Sequence, residues 1–535
     1  MTPDLKIVGP AAHPRLNARQ DVVIRKGRFA LVNDLLSPRD ATAADLVAIH
    51  DALDAAGIEH LLVRRDDDRA VIAVDRAAAP AVEAALVTAF AREPFYSKAG
   101  SEEALLVADG AISISRRPGV LRLYRPRFST AGSLRYGAST GVRLEFWEFG
   151  PDQIVAPAEN ALMRRRLPRA EAIEDTIDMH GRSWNTLAGM FDTLASDVTF
   201  DIDLVFSWVD GTSSEFQRAR AQRMKTYVVG DGDDSEARYR QIDELKYALR
   251  SVRLFAPWVR RIFVVTDSPR PAWLAEHPAV TLVRSEEFFT DPRVLPTHNS
   301  HAVESQLHHI EGLSEHFIYS NDDMFFGRPV RPEMFFSPGG ITKFIEATTR
   351  IGLGEPDPSR SGFENAARVN RALLRERFGR ITTRHLEHAA TPLRRSVMAE
   401  LEREFPREFA RTAASAFRSS SDISVTNSLY HYYALMTGRA VVQEKARVKY
   451  IETTLASAQA EMDSLLRDRD YDFFCLNDGS RPEISVTRRT KIVRTFLERY
   501  FGIPAPWESA AAQSTSARPA AESASSSGAR ETPAG

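Results

Sequence analysis

Asp201-Ile202-Asp203-Leu204-Val205-Phe206-Ser207-Trp208-Val209-Asp210-Gly211 is an apolar run that closes on an aromatic, a carboxylate and a glycine. Arg260-Arg261-Ile262-Phe263-Val264-Val265-Thr266-Asp267 and His316-Phe317-Ile318-Tyr319-Ser320-Asn321-Asp322-Asp323 have the same form. Short apolar runs bounded by polar residues read as strands buried on both faces, the habit of parallel sheets. Between the first two, Ile242, Leu245, Leu249, Val252 and Ala256 recur at intervals of three and four, which marks a helix with one buried face. Strand, helix and parallel strand make a crossover unit, so the expected fold class is α/β. Ligands of open α/β sheets gather at the carboxyl ends of the strands. Carboxylates at three such ends therefore mark where a site is expected.

Upstream, residues 29–95 alternate helical signals with apolar runs at Leu61-Leu62-Val63 and Val71-Ile72-Ala73-Val74. They predict a smaller N-terminal α/β domain, which Val142, Leu144 and Phe146 extend as one face of a further strand. The expected division is an N-terminal domain over 1–195, a catalytic domain over 196–508 and a disordered tail over 509–535. That tail is mostly Ala, Ser, Pro and Thr, too poor in apolar anchors to offset its ordering entropy. The chain has 535 residues, 43% hydrophobic and 27% charged, an ordinary globular composition. With 70 basic against 72 acidic residues, it carries no global field for nucleic acid. A single cysteine, Cys475, excludes an intramolecular disulfide and a multi-cysteine zinc site, and suits a reducing compartment. The N-terminus lacks the basic and apolar regions of a secretory signal, and no run reaches the ~20 apolar residues of a membrane span. A cytoplasmic location is expected, with any membrane contact peripheral and at the inner face.

Several motifs carry chemistry. Adjacent carboxylates Asp322 and Asp323 after Asn321 can hold a hard divalent cation through oxygen; the alternative is a solvated turn whose side chains bond their own backbone. Asp210 reads either as a nucleotide or metal contact or as a strand-end cap beside a core Trp208. His298, His301, His308 and His309 cluster on a segment that looks helical from His301 onward, with His301 and His308 on one face. The HExxH spacing is absent and no cysteine is near, so polar contacts are expected there in preference to zinc. Asn299 and Ser300 stand where a helix N-cap would lie, and free amides at a helix start suit a phosphate. His388 precedes Thr391-Pro392 and an expected helix through Arg394, Arg395, Val397, Leu401 and Phe405. It is available as a general base, or is a hydrogen-bonded surface residue. Arg418, within Ala416-Phe417-Arg418-Ser419-Ser420-Ser421-Asp422, supplies a fork for phosphate oxygens, or sits in an ordinary loop. P-loop, dinucleotide and protein-kinase signatures are absent.

Taken in order, these segments resemble the four characteristic regions of the Stealth family of sugar-phosphate transferases. The family includes bacterial capsular polysaccharide phosphotransferases and the catalytic core of lysosomal-enzyme N-acetylglucosamine-1-phosphotransferase. Region one resembles Ile202 to Gly211. Region two resembles Glu244 to Asp267 and continues through His298 to Gly327. Region three resembles His388 to Ala434, and region four Cys475-Leu476-Asn477-Asp478. The resemblance implies a Rossmann-like or GT-A-like nucleotide-sugar transferase core with helical insertions. It also implies transfer of a hexose-1-phosphate from a nucleotide diphosphate sugar to a glycan or lipid-linked glycan, with Mg²⁺ or Mn²⁺. By the same resemblance Asp322 and Asp323 bind the metal, Asp210 lies in the donor site, and Arg250 and Arg418 contact phosphate oxygens. His388 takes the acceptor proton, and Asp478 with Asn477 closes the site. Trp208, Asp203, Asn299 and Asn321 complete the expected substrate contacts. An ordinary glycosyltransferase releasing a nucleoside diphosphate, and a noncatalytic glycan-binding protein, are the rival readings.

Overall fold

The structure is a computed structural model that describes residues 13–65, 69–113, 119–130, 134–211, 213, 217–218, 221, 242–479 and 481–509. The expected tail lies, from residue 510 onward, outside the described residues.

The second half of the chain is built on strands β1 (Ile202–Ser207), β2 (Ile262–Val265), β3 (Val280–Val283), β4 (His316–Asn321), β5 (Met324–Phe326), β6 (Thr391–Arg394), β7 (Val448–Glu452) and β8 (Phe473–Asn477). The main sheet has the order β3-β2-β1-β4-β6. Its first four strands are parallel, and β6 runs antiparallel along β4. Successive side chains of β1 enter two different cores. Leu204 and Phe206 join one with helix α1 (Glu244–Phe255), while Val205 joins the other. Burial on both faces is why these strands read as unbroken apolar runs rather than alternating ones. Ile242, Leu245, Leu249, Val252 and Ala256 are all buried as their spacing predicts. The α/β class and the parallel Rossmann-like core are therefore as expected.

Two local expectations differ. The helix expected from His301 stops at Glu304, and a separate 3-10 turn forms at Leu307–His309. His301 and His308 thus do not share a helix face. The helix expected through Arg394 begins only at Arg395, because Thr391–Arg394 is strand β6. Pro392, opposite Ile318, is tolerated there because β6 is the edge strand of this sheet among the described residues.

In the N-terminal part, the strand Val142–Phe149 lies between Val71–Asp75, parallel, and Val120–Tyr124, antiparallel. Val142, Leu144 and Phe146 are buried, and so are Glu145 and Trp147 on the opposite face. Glu145 is paired with Arg65 at 2.8 Å and accepts from the Trp147 indole at 3.0 Å. Among the described residues no strand pairs across the expected 195/196 division. Side chains do cross it. Ala41, Leu134 and Tyr136 enter the core around α1, and Asp40 pairs with Arg253 at 2.7 Å.

Candidate active site

Strand order places the site. From β1 the chain moves outward to β2 and β3, then returns to lay β4 on the other side of β1, and such a reversal leaves a crevice at the carboxyl ends. Ser207 lies opposite Asn321 in the register. Trp208-Val209-Asp210 and Asp322-Asp323 therefore leave the sheet side by side. The Asp210 amide is held by the Ser268 hydroxyl at 2.8 Å. Asp267, at the end of β2, instead accepts from the amide and hydroxyl of Ser285, at 2.8 and 2.7 Å, and is spent on that turn.

A second, three-stranded sheet brings in the C-terminal region. β8 pairs antiparallel with β5 and parallel with β7, so that Cys475 faces both Met324 and Tyr450. The Leu476 amide donates to the Asp323 carbonyl at 3.0 Å, and the Cys475 thiol reaches an Asp323 carboxylate oxygen at 3.5 Å. Asn477 and Asp478 follow directly. Asp478 is ion-paired with Arg489 and accepts from the Thr453 hydroxyl at 2.6 Å. His388 arrives from the loop before β6, with its ring edge-on to Tyr450 at 5.3 Å between centroids. Arg418 donates to the Ser300 hydroxyl at 2.9 Å. Its charge also acts on the Tyr319 phenol, which donates to Asn321 at 2.9 Å.

Electrostatics distinguish the members. Burial, then the charges of Asp323 and Glu244, pushes the Asp322 carboxyl well above the ordinary carboxylate range, although the residue keeps some solvent exposure. Burial pushes the Cys475 thiol up as well, so it stays protonated beside Asp323. Burial lowers the His388 imidazole, which keeps it neutral into mildly acidic solution.

Of the expected residues, Asn321, Asp322 and Asp323 end β4 beside the segment of Asn477 and Asp478, Asp210 leaves the neighbouring strand end, His388 reaches Tyr450, and Arg418 acts on Tyr319. The others are placed differently. Asp203 is fully buried at the amino end of β1, in a pair with Arg260 at 2.8 Å and bonded to the Ser314 amide at 2.8 Å. Arg250 is 2% exposed. Its fork grips both oxygens of Glu508 at 2.6 and 2.7 Å and the Phe501 carbonyl at 2.8 Å, so it braces the C-terminal segment and does not face the strand ends. Trp208 is buried in the core around α1. Asn299 caps its short helix and binds the Ser415 and Phe417 carbonyls and Asp422, at 3.2, 3.3 and 2.8 Å. It therefore holds the loop that carries Arg418 and is closed to a phosphate. Tyr450 and Arg489 escaped the motif reading, and Glu244, the first residue of region two, was not expected at the site; strand pairing and helix packing bring them to the acidic cluster.

An open, mostly parallel sheet with carboxylates at adjacent strand ends defines the class, an α/β protein. Comparison with known proteins narrows it. Stealth protein conserved regions 1 to 4 match residues 200–228, 238–344, 387–435 and 463–519. The exopolysaccharide phosphotransferase CpsY of Mycobacterium leprae is 58% identical over 493 residues, which cover 92% of this chain and 91% of the relative. The exopolysaccharide phosphotransferase of Nocardia farcinica is 54% identical over 488 residues, 91% of each chain. Among solved structures, the galactosyltransferase LgtC in complex with donor and acceptor sugar analogs aligns with TM-score 0.28 and 12% identity, over 56% of this chain and 96% of that one. The chain belongs to the Stealth family and is a transferase.

Proposed function

We propose that the chain transfers a hexose-1-phosphate from a nucleotide diphosphate sugar to a glycan hydroxyl, forming a phosphodiester in a capsular or cell-surface polysaccharide. The observation that carries this reading is the carboxylate pair Asp322-Asp323 at the end of β4 beside the strand end that leads to Asp210, with His388 against Tyr450 and Arg418 acting on Tyr319. The similarity to exopolysaccharide phosphotransferases supports it. The acceptor oxygen attacks the sugar-bearing phosphorus, the bridging bond to the second phosphorus breaks, and a nucleoside monophosphate leaves. Neutral His388 accepts the hydroxyl proton on a ring nitrogen. The Arg418 guanidinium pairs with non-bridging oxygens, which need a fixed donor where charge builds. Asn477 and Asp478, anchored through Thr453 and Arg489, close the site from the C-terminal side.

The donor set fits a divalent cation. Asp322 and Asp323 are adjacent oxygen donors, and a bound cation would offset the burial and the neighbouring negative charge that raise Asp322. When bound, Mg²⁺ or Mn²⁺ would neutralise the diphosphate. The acceptor is a glycan or lipid-linked glycan. No described helix is long and apolar enough to cross a membrane, and we place the protein in the cytoplasm with peripheral access to membrane-bound polysaccharide machinery.

The test is to incubate the protein with nucleotide sugars and glycan acceptors, with Mg²⁺ or Mn²⁺ and with chelator, and to follow nucleotides and phosphorus resonances. Monophosphate release with a new phosphodiester signal, abolished in Asp322→Asn, is expected. Diphosphate release would establish an ordinary glycosyltransferase instead, and donor binding without turnover a noncatalytic protein.

A further inference from the structure

Away from the acidic cluster, His308, His309 and Glu402 bring three potential ligand atoms within 4.8 Å of one another. The two histidines end the 3-10 turn Leu307–His309, and Glu402 projects from the helix Arg395–Glu404. Nε2 of His308 and Nε2 of His309 lie 2.9 and 3.1 Å from the same Glu402 oxygen. A tetrahedral zinc ion with bonds of about 2.0–2.1 Å spaces its ligand atoms about 3.3 Å apart, so each histidine already stands near its zinc-bound distance from the Glu402 oxygen.

The cluster is built rather than incidental. Arg395 donates through Nε to the His308 carbonyl at 2.8 Å, and its own amide donates to the Glu315 carbonyl at 2.8 Å, which locks turn and helix together. The His308 side chain is 1% exposed, whereas His309 and Glu402 are 35% and 28% exposed. One flank is thus dry and the other open to a water as fourth ligand, the layout of a three-ligand zinc site. Two imidazoles and one carboxylate suit zinc-like ions far better than Mg²⁺, which prefers oxygen ligands only.

The cluster shares no residue with the proposed catalytic cation site. Arg394 lies opposite His316 at the amino end of β4, so the helix that carries Glu402 starts at the end of that strand opposite to Asp322.

We propose that His308, His309 and Glu402 form a transition-metal site for Zn²⁺ that clamps the turn before β4 to the helix after β6, and that takes no part in the chemistry at Asp322 and Asp323. Nδ1 of His308 is buried with no hydrogen-bond partner among the described residues. This ring therefore lacks the outer hydrogen bond that usually orients a ligand histidine, and affinity is about 10–100-fold below that of a fully supported site.

The experiment is a Co²⁺ titration of the chelator-treated, untagged full chain, read by visible d–d absorbance, with Zn²⁺ stoichiometry from elemental analysis. One equivalent of tetrahedral Co²⁺ is expected in the wild type and in Asp322→Asn. At least a tenfold loss of affinity is expected in His309→Ala and in Glu402→Gln, whose circular dichroism in chelator should match the wild type. Absence of the bands, their loss in Asp322→Asn, or their survival in both His309→Ala and Glu402→Gln would overturn the proposal.

Discussion

His388 and Arg250 show how differently two residues of one motif set are used. Burial lowers the His388 imidazole below its ordinary value of 6.5. Its neutral, proton-accepting form therefore persists into mildly acidic solution, and kcat/KM should stay flat through neutral pH and fall only on the acid side of 6.5. His388→Gln should lower kcat by about 10²–10⁴-fold, the range of a lost general base, and remove that acid limb; a variant that kept the limb would show another group to be the base. Arg250 has no such freedom, since its fork is occupied by Glu508 and Phe501. Arg250→Ala leaves the buried Glu508 carboxylate without its main partner, a change that costs about 3–5 kcal/mol. Urea denaturation should show that loss, whereas a role at the phosphate would appear as a raised donor KM with stability intact.

At the scale of elements, the ion pair between Glu400, on the helix Arg395–Glu404, and Arg439, just before the strand Ala440–Val442, ties two pieces of the second core together at 2.6 Å. Hydrogen bonds from Arg439, then from Tyr433, lower the Glu400 carboxyl from 4.5 to about 2. A carboxyl lowered in the folded state stabilises above its unfolded value and loses that contribution as pH falls from about 4.5 toward 2. Glu400→Gln should therefore lose stability at neutral pH but show a shallower fall of Tm below pH 4.5, measured by thermal melts across pH. The elements also show what periodicity conveyed. The helix around Leu245 and Leu249 was legible because one local spacing set its buried face. Helix from His301 onward was not, because after Glu304 the chain tightens into a turn whose histidines bond Glu402. Nor was β6, whose sheet neighbour among the described residues, β4, lies 70 residues and more upstream.

Across the whole molecule, side chains pack the N-terminal part against the core around α1. The helix Pro38–Ala55 supplies Ala41 to the core around α1, Tyr136 lies near Arg469, and Asp40 holds Arg253. A chain truncated to 196–535 should melt several degrees below the full-length protein, since it uncovers apolar surface around α1. Equal melting temperatures would show that the two parts are energetically independent.

Read alone, the sequence determined the α/β class, the strand ends at Asp210 and Asp322-Asp323, and the order of the four motif regions. These rest on local patterns, a buried strand or a helix face being written in a few consecutive residues. Only the tertiary structure decided which charged groups reach the strand ends. Arg250 meets a glutamate 258 positions away, and Glu402 meets two histidines 94 and 93 positions back. A buried charge takes whichever partner the fold brings within hydrogen-bond reach, and no local spacing in the chain encodes that choice.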